Sequence, residues 1–259
     1  MNTENHPIII GLCGKAGTGK TSIANTIVPS HSIKYDKPNR TIWDHAFFAM
    51  PLYEMASIKR MTKGELSRDR ILYQMHDVLA DLFGKSPAYG APTYDRFTDL
   101  VKSITDLPMP TDEDMKPREF LQEAGELCRA EKGDCFVQWA RKMANRRANA
   151  LLSDDAEEYD QYVCILSDVR YENEANMIAS QPGGILIRFD ASNDVRMDRL
   201  YNRDGYRMPD SQLNHSSENV ELIPENIITA VINTDNMNVE QQAQATNKII
   251  EKELQRIYA

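Results

Sequence analysis

An α/β fold, with a parallel sheet covered by helices on both faces, is what this sequence predicts. Three observations carry it. Short apolar runs alternate with helix-period segments from one end of the chain to the other. The run Tyr162-Val163-Cys164-Ile165-Leu166 is apolar without interruption, as in a strand buried on both sides. A glycine-rich turn joins the first strand directly to the first helix.

Taken in order, Pro7 to Cys13 is an apolar strand, and Ile23, Ala24, Ile27 and Val28 recur at helical spacing over Thr21 to Val28. Thr41 to Phe47 reads as a second strand and Pro51 to Met61 as a helix with proline in its first turn. Leu66 to Phe83 is amphipathic and stops at Gly84, Lys85 to Pro92 is loop, and Tyr94 to Ile104 is a shorter helix. Prolines break the chain from Pro108 to Pro117. Helices follow from Pro117 to Ala130 and, with Asp134 as N-cap, from Cys135 to Leu152. The acidic stretch Asp154 to Asp160 is a solvated connection into the strand that ends at Ser167-Asp168. A helix over Glu172 to Ser180, a strand over Ile185 to Phe189, a strand over Ile227 to Ile232 and a helix over Val239 to Ile257 complete the chain. The helical middle, residues 49–152, elaborates the strand C-terminal ends, where open sheets bind ligands.

Composition narrows the function. At 259 residues and 41% hydrophobic, the chain can bury a large core as one domain with insertions. A net charge of −9 disfavours a nucleic-acid footprint or a polybasic membrane surface, so the expected partner is a small molecule, with a homodimer possible. Cys13, Cys128, Cys135 and Cys164 lack paired spacing and read as buried thiols of a reducing compartment. No signal segment and no apolar run of spanning length is seen, so a soluble cytoplasmic protein is expected.

Four constellations carry chemistry. Gly14-Lys15-Ala16-Gly17-Thr18-Gly19-Lys20-Thr21 is a complete G-x-x-x-x-G-K-[ST] phosphate loop, continued by Ser22, in the required setting between a strand and a helix. Its glycines let N–H groups turn inward toward an anion, Lys20 would reach the β and γ phosphates of ATP, and the Thr21 hydroxyl would meet Mg²⁺. Asp168, at the end of an apolar strand, is a second metal or acceptor contact, with Arg170 two residues on and on the same side. Arg118, Gln122, Gly125 and Arg129 fall on one helical stripe about 60° wide, suited to a phosphate and a base edge, while Phe120, Leu121, Ala124, Leu127 and Cys128 face the core. Arg196, Arg199, Arg203 and Arg207, with Gly205 as a place to bend, form a candidate lid that brings positive charge to a transferring phosphoryl group. His215-Ser216-Ser217-Glu218 reads as a capping arrangement that closes this lid, and His45 and His76 as core or edge residues.

Five segments together, in this order, resemble the bacteriophage-type deoxynucleoside monophosphate kinases: Gly11 to Thr21, Ala49-Met50-Pro51-Leu52-Tyr53, Pro117-Arg118-Glu119-Phe120-Leu121-Gln122-Glu123-Ala124-Gly125, Ser167-Asp168-Val169-Arg170-Tyr171-Glu172-Asn173-Glu174, and His215 to Glu218. The resemblance spans nearly the whole chain, and its Arg-x-x-x-Gln and Asp-Val-Arg-x-x-Asn-Glu segments are more specific than the loop. It implies a P-loop nucleoside monophosphate kinase-like, three-layer parallel sheet forming a single domain over residues 1–259, with the helical monophosphate-binding insertion at 49–152 and a lid at 192–216. ATP and Mg²⁺ would be cosubstrate and cofactor, and a deoxynucleoside monophosphate the acceptor. Carried onto this chain, Lys20, Asp168, Arg170, Arg199 and Arg203 would be catalytic, Arg118, Gln122, Arg129, Asp168 and Arg170 would bind the acceptor, and Thr21 and Asp168 the metal. The chain departs from the family in Glu126, where threonine often follows the glycine, and in a long insertion from Ser67 to Pro117. Two other readings share the loop: a kinase acting on a modified base within DNA, and a nucleotide-driven ATPase or switch with no acceptor.

Overall fold

The computed structural model describes residues 6–32, 41–60, 67–89, 91–109, 117–152 and 161–258. In chain order its elements are β1 (Ile8–Cys13), α1 (Lys20–Ser32), β2 (Thr41–Ala46), α2 (Met50–Arg60), α3 (Arg68–Phe83), α4 (Pro92–Asp106), α5 (Arg118–Glu131), α6 (Cys135–Leu151), β3 (Gln161–Val169), α7 (Glu172–Ala179), β4 (Ile185–Asp190), α8 (Asn193–Asp204), the short α9 (Asp210–Leu213), three 3₁₀ turns, β5 (Ala230–Asn233) and α10 (Val239–Tyr258). The predicted break after Pro108 lies mostly outside the described residues, as does the acidic stretch 154–160. The chain divides into two compact units, Met1–Phe47 with Arg141–Ala259, and Phe48–Ala140.

The first unit is the sheet. Its five strands run in the order β2-β3-β1-β4-β5, and every pairing is parallel. Alternate residues of β1, Ile8, Ile10 and Leu12, point into one core with Ile23, Ala24 and Ile27 of α1 and Ala243 and Ile250 of α10. Helix α7 packs on the opposite face against β1 and β4, which gives the three layers expected of continuous apolar strands. The chain first winds from β1 toward β2 and later crosses back to β4, so its direction reverses between β3 and β1. That reversal leaves a crevice at the strand C-terminal ends, the place where ligands of open sheets bind.

The β1–β3 ladder slips inside this crevice. Gly11 is level with Leu166 but Cys13 with Val169, so β3 fits one residue more than β1 over the same stretch. Such a bulge re-aims side chains, and it falls on Ser167 and Asp168. The sequence reading ended the strand at this point; the structure continues it to Val169.

The second unit is helical. Helix α3 begins at Ser67, whose side chain accepts from the Arg70 N–H, and ends at Gly84 in the left-handed region, the stop the sequence predicts. Lys59 of α2 donates from Nζ to the Thr105 and Leu107 carbonyls at the end of α4 and lies 5.5 Å from the centre of the Phe120 ring. Its ammonium thus serves two neighbouring helices at once. The unit ends at Ala140, inside α6, earlier than residue 152 where the insertion was expected to close. Beyond that point α6 belongs with the sheet, where Arg147 pairs with Asp44 and the Tyr162 hydroxyl donates to the same carboxylate at 2.7 Å.

Candidate functional site

The phosphate loop leaves the central strand as the motif requires. Gly14, Gly17 and Gly19 hold φ of 137°, 84° and 95°, a backbone open to glycine and strained for other residues. Lys20 opens α1 and is 6% exposed. Its Nζ donates to the Gly14 carbonyl at 2.5 Å, the Lys15 carbonyl at 2.9 Å and Thr18 Oγ1 at 3.3 Å. Burial pulls the ammonium well below the usual lysine range and Arg170 pushes it the same way, against the opposing pull of Glu218, Cys13 and Asp168. Lys20, Asp168, Arg170 and Glu218 therefore share one electrostatic neighbourhood. Thr21 and Ser22 are exposed in the first turn of α1.

Asp168 is half-buried on the β3 bulge. Arg170 follows, its main-chain N–H held by Glu174 Oε2 at 2.8 Å, with Tyr171 N–H on the same oxygen at 3.2 Å. This explains the Asn-Glu that ends the segment: Glu174, 1% exposed, fixes the backbone from which Arg170 projects.

The region read as a lid is seated on the loop. Arg196 is 7% exposed and donates from Nε to the Ala16 carbonyl at 2.8 Å. Leu200 and Met208 pack with Ala16 in a small apolar cluster. Arg199 donates to Thr234 Oγ1 at 3.0 Å, to the Thr234 carbonyl at 2.7 Å and, at longer range, to the Gly17 carbonyl at 3.5 Å, which ties α8 to the β5–α10 connection. Arg203 is exposed and pairs with its neighbour Asp204. The shared face predicted for Arg196, Arg199 and Arg203 thus grades from buried to exposed.

His215 caps the 3₁₀ turn after it, its Nδ1 accepting from Ser217 N–H at 3.2 Å, but Glu218 does something other than close a lid. Glu218 Oε2 accepts from the Ala16 N–H at 2.7 Å, and Oε1 takes Arg170 Nη1 at 2.6 Å. Lys15 pairs with Glu221 nearby. Nothing in the spacing of the sequence signals these contacts, because they join positions far apart in the chain, 48 residues for Arg170 and Glu218 and 202 for Ala16 and Glu218.

His45 lies half-buried on the edge strand β2, in line with the core or edge position expected of it. It pairs in register with Ile165, two residues before Ser167. Its Nδ1 meets Asn25 Oδ1 at 2.9 Å and its Nε2 meets Ser167 Oγ at 2.7 Å, while its ring lies 4.5 Å from that of Phe47. With Asn25 Oδ1 as acceptor, Nδ1 carries the hydrogen and Nε2 accepts the Ser167 O–H. Burial holds the imidazole below its ordinary range, only partly offset by Asp168 and Asp44, so it stays neutral. A histidine at a strand's C-terminal end beside the acid-bearing strand was the available signal.

In the second unit, Arg118, Gln122 and Arg129 are half-buried on α5 and Gly125 is buried. The Arg129 guanidinium stacks 4.5 Å from the centre of the Phe136 ring. A Cβ on Gly125 would stand 3.0 Å from Arg129 Nη1 and 3.3 Å from Leu52 Cδ1, so the glycine makes room for both. A cavity of about 520 Å³ in the same unit is lined by Glu54, Asp77, Asp81, Gln74 and Trp139 among others. Burial, and then Asp81, pushes the Glu54 carboxyl up. So acidic a cavity repels phosphate, and the arginine-bearing stripe of α5 does not line it.

Among the described residues no group of three or more His, Cys, Asp or Glu side chains could hold an ion. Mg²⁺ in nucleotide enzymes takes one or two protein oxygens and completes its shell with phosphates and water, and the exposed Thr21 hydroxyl with the half-buried Asp168 fits that sparse donor set. The four cysteines are free and buried, with Cys13 and Cys135 each pushed up to about 11 by burial first of all. No described helix is long and apolar enough to cross a membrane.

No family model and no curated protein matches the chain. Among solved structures it is similar to a gluconokinase from Sinorhizobium meliloti 1021 (13% identity, 98% of each chain covered, TM-score 0.42). It is also similar to TT1252 from Thermus thermophilus (17% identity, 94% of this chain and 97% of that one, TM-score 0.37).

Proposed function

We propose that the protein transfers the γ-phosphoryl group of MgATP to the 5′-phosphate of a deoxynucleoside monophosphate. The observation that carries this reading is the phosphate loop on the central strand, with buried Lys20, beside an adjacent strand whose bulge presents Asp168 and whose end fixes Arg170. A nucleotide-driven switch or ATPase would hydrolyse ATP without any acceptor and would need no Arg118 to Arg129 stripe. A kinase of modified bases in DNA would want a broad basic groove, which a chain of net charge −9 is poorly suited to offer.

Phosphoryl transfer asks little covalent help from a protein; it asks that two polyanions be held in line and their charge screened. The inward N–H groups of Gly17 to Thr21 would hold the donor phosphates. Lys20 would exchange its carbonyl partners for the β and γ oxygens, and their negative charge would lift its depressed ammonium back toward full protonation. Thr21 and Asp168 would hold Mg²⁺, which supplies charge neutralisation on the transferring group. Arg170 would meet the phosphoryl or acceptor oxygens through a planar fork, and Arg203 remains the exposed arginine of α8 able to reach a ligand. Arg118, Gln122 and Arg129 would hold the acceptor nucleotide.

The test is ADP formation across a panel of deoxy- and ribonucleoside monophosphates. Stimulation over ATP alone by at least one deoxynucleotide is expected; a flat response across the panel would refute the acceptor reading.

A further inference from the structure

Glu218 is 5% exposed and takes no part in the chemistry proposed above, yet it is wired into both halves of the donor site. One oxygen accepts the Ala16 N–H of the phosphate loop at 2.7 Å and the other accepts Arg170 Nη1 at 2.6 Å. The Ala16 carbonyl is meanwhile held by Arg196 Nε at 2.8 Å, so both peptide groups flanking the Ala16 Cα are pinned. A buried carboxylate is costly unless paired, and its burial here is outweighed by Arg170, the Ala16 N–H, Lys20 and Arg196, which keep it ionised.

Among the described residues, the bonding of the Arg170 side chain is one-sided. Its side chain donates to Glu218 and to the Ser217 carbonyl at 3.2 Å, both from Nη1. That leaves the Nε–Nη2 edge, a ready-made two-donor fork for an anion, on a side chain that is 22% exposed.

We propose that Glu218 is the positioning residue for Arg170: by clamping Nη1 while gripping the phosphate loop at Ala16, it sets the Nε–Nη2 fork at a fixed distance from the bound triphosphate, ready for two phosphoryl or phosphate oxygens. This rests on the kinase reading, which assigns Arg170 to the reacting phosphates. Glu218 acts only through Arg170.

The experiment is a double-mutant cycle in the full-length chain. Glu218→Gln keeps an oxygen able to accept from Ala16 N–H but loses the charge that holds Arg170. It is expected to lower kcat about tenfold or more while KM for ATP stays within about twofold, since the loop's own contacts survive. In an Arg170→Ala background the same change is expected to cost less than about twofold, because the group it positions is gone. Equal losses in both backgrounds, or an unchanged kcat in the single variant, would overturn the proposal. Should Glu218→Gln fail to fold, Glu218→Asp, one methylene short of Arg170, enters the same cycle with the same expectations. A second readout separates the two proposals: the slow hydrolysis of ATP with no acceptor present should show the same non-additivity even in a chain that phosphorylates no monophosphate. Additive losses in that hydrolysis rate would again overturn the role of Glu218, whatever the fate of the kinase reading.

Discussion

Lys20 Nζ lies 2.5 Å from the Gly14 carbonyl oxygen, and this buried ammonium is neutralised by main-chain dipoles and a shared field more than by a direct carboxylate partner. Such a charge destabilises the fold that carries it. Lys20→Met should therefore leave the melting temperature unchanged or raise it, while phosphoryl transfer falls on the order of a hundredfold or more. The sign of the pH dependence follows. With its folded pKa below the ordinary 10.5, the lysine costs stability at neutral pH and stops doing so as pH rises toward that value. The stability gap between variant and parent should close between neutral pH and about pH 10; a gap that widens in urea titrations would contradict this account.

Gly17→Ala combines strain with collision. Its φ is +84°, and a Cβ there would sit 2.6 Å from the Arg196 main-chain oxygen, which cannot swing aside. A loss of about 1–3 kcal/mol in stability and at least about tenfold in ATP affinity is expected. Gly84→Ala is the control, with nearly the same φ of +82° and no atom within 4 Å of the new Cβ. It should cost only the left-handed strain, about 1–2 kcal/mol, and leave ATP affinity alone.

His45 supplies an acid limb to stability. The folded state keeps the ring neutral below its ordinary 6.5, whereas the unfolded chain protonates it there. Stability should fall as pH drops through about 6.5 and go on falling until the folded ring also titrates. Glu218 adds its own loss only below its ordinary 4.5, because its folded carboxyl is held lower still. Comparing urea midpoints at pH 7 and pH 5 for the parent and His45→Gln isolates the histidine: the variant should lose less on acidification, and equal losses would dismiss the assignment.

Gly125→Ala addresses the acceptor side. The added methyl meets the tip of the Arg129 guanidinium at 3.0 Å and Leu52 Cδ1 at 3.3 Å. The arginine can yield, and alanine's better helix propensity, about 1 kcal/mol, offsets the crowding. Thermal stability should change little while KM for the monophosphate rises about fivefold with ATP unaffected. A variant with unaltered acceptor KM would remove Arg129 from the binding stripe.

Much of this architecture was legible in the sequence. Unbroken apolar runs marked the buried strands, and residues 14–21 marked the turn from β1 into α1, because both depend on near neighbours. Gly84 stopped its helix as predicted for the same reason. What escaped was long-range and polar. Glu218 looks like one more acid near a histidine until the fold carries it to Ala16 and Arg170. Arg196 and Arg199 share a helical spacing that says nothing of how deeply each is buried or which carbonyls it meets. The bulge at Ser167 and Asp168 is a mismatch between two strands, so neither strand's own sequence displays it.

The wiring of the loop also has a temporal meaning. Residues 14–19 leave the ribosome well before the groups that shape them: Arg196 follows Ala16 by 180 residues and Glu218 by 202, and the Gln242 amide beside Gly19 comes later still. Nucleotide competence should consequently be a late acquisition during synthesis or refolding, lagging behind helical content, with truncated nascent chains unable to hold ATP.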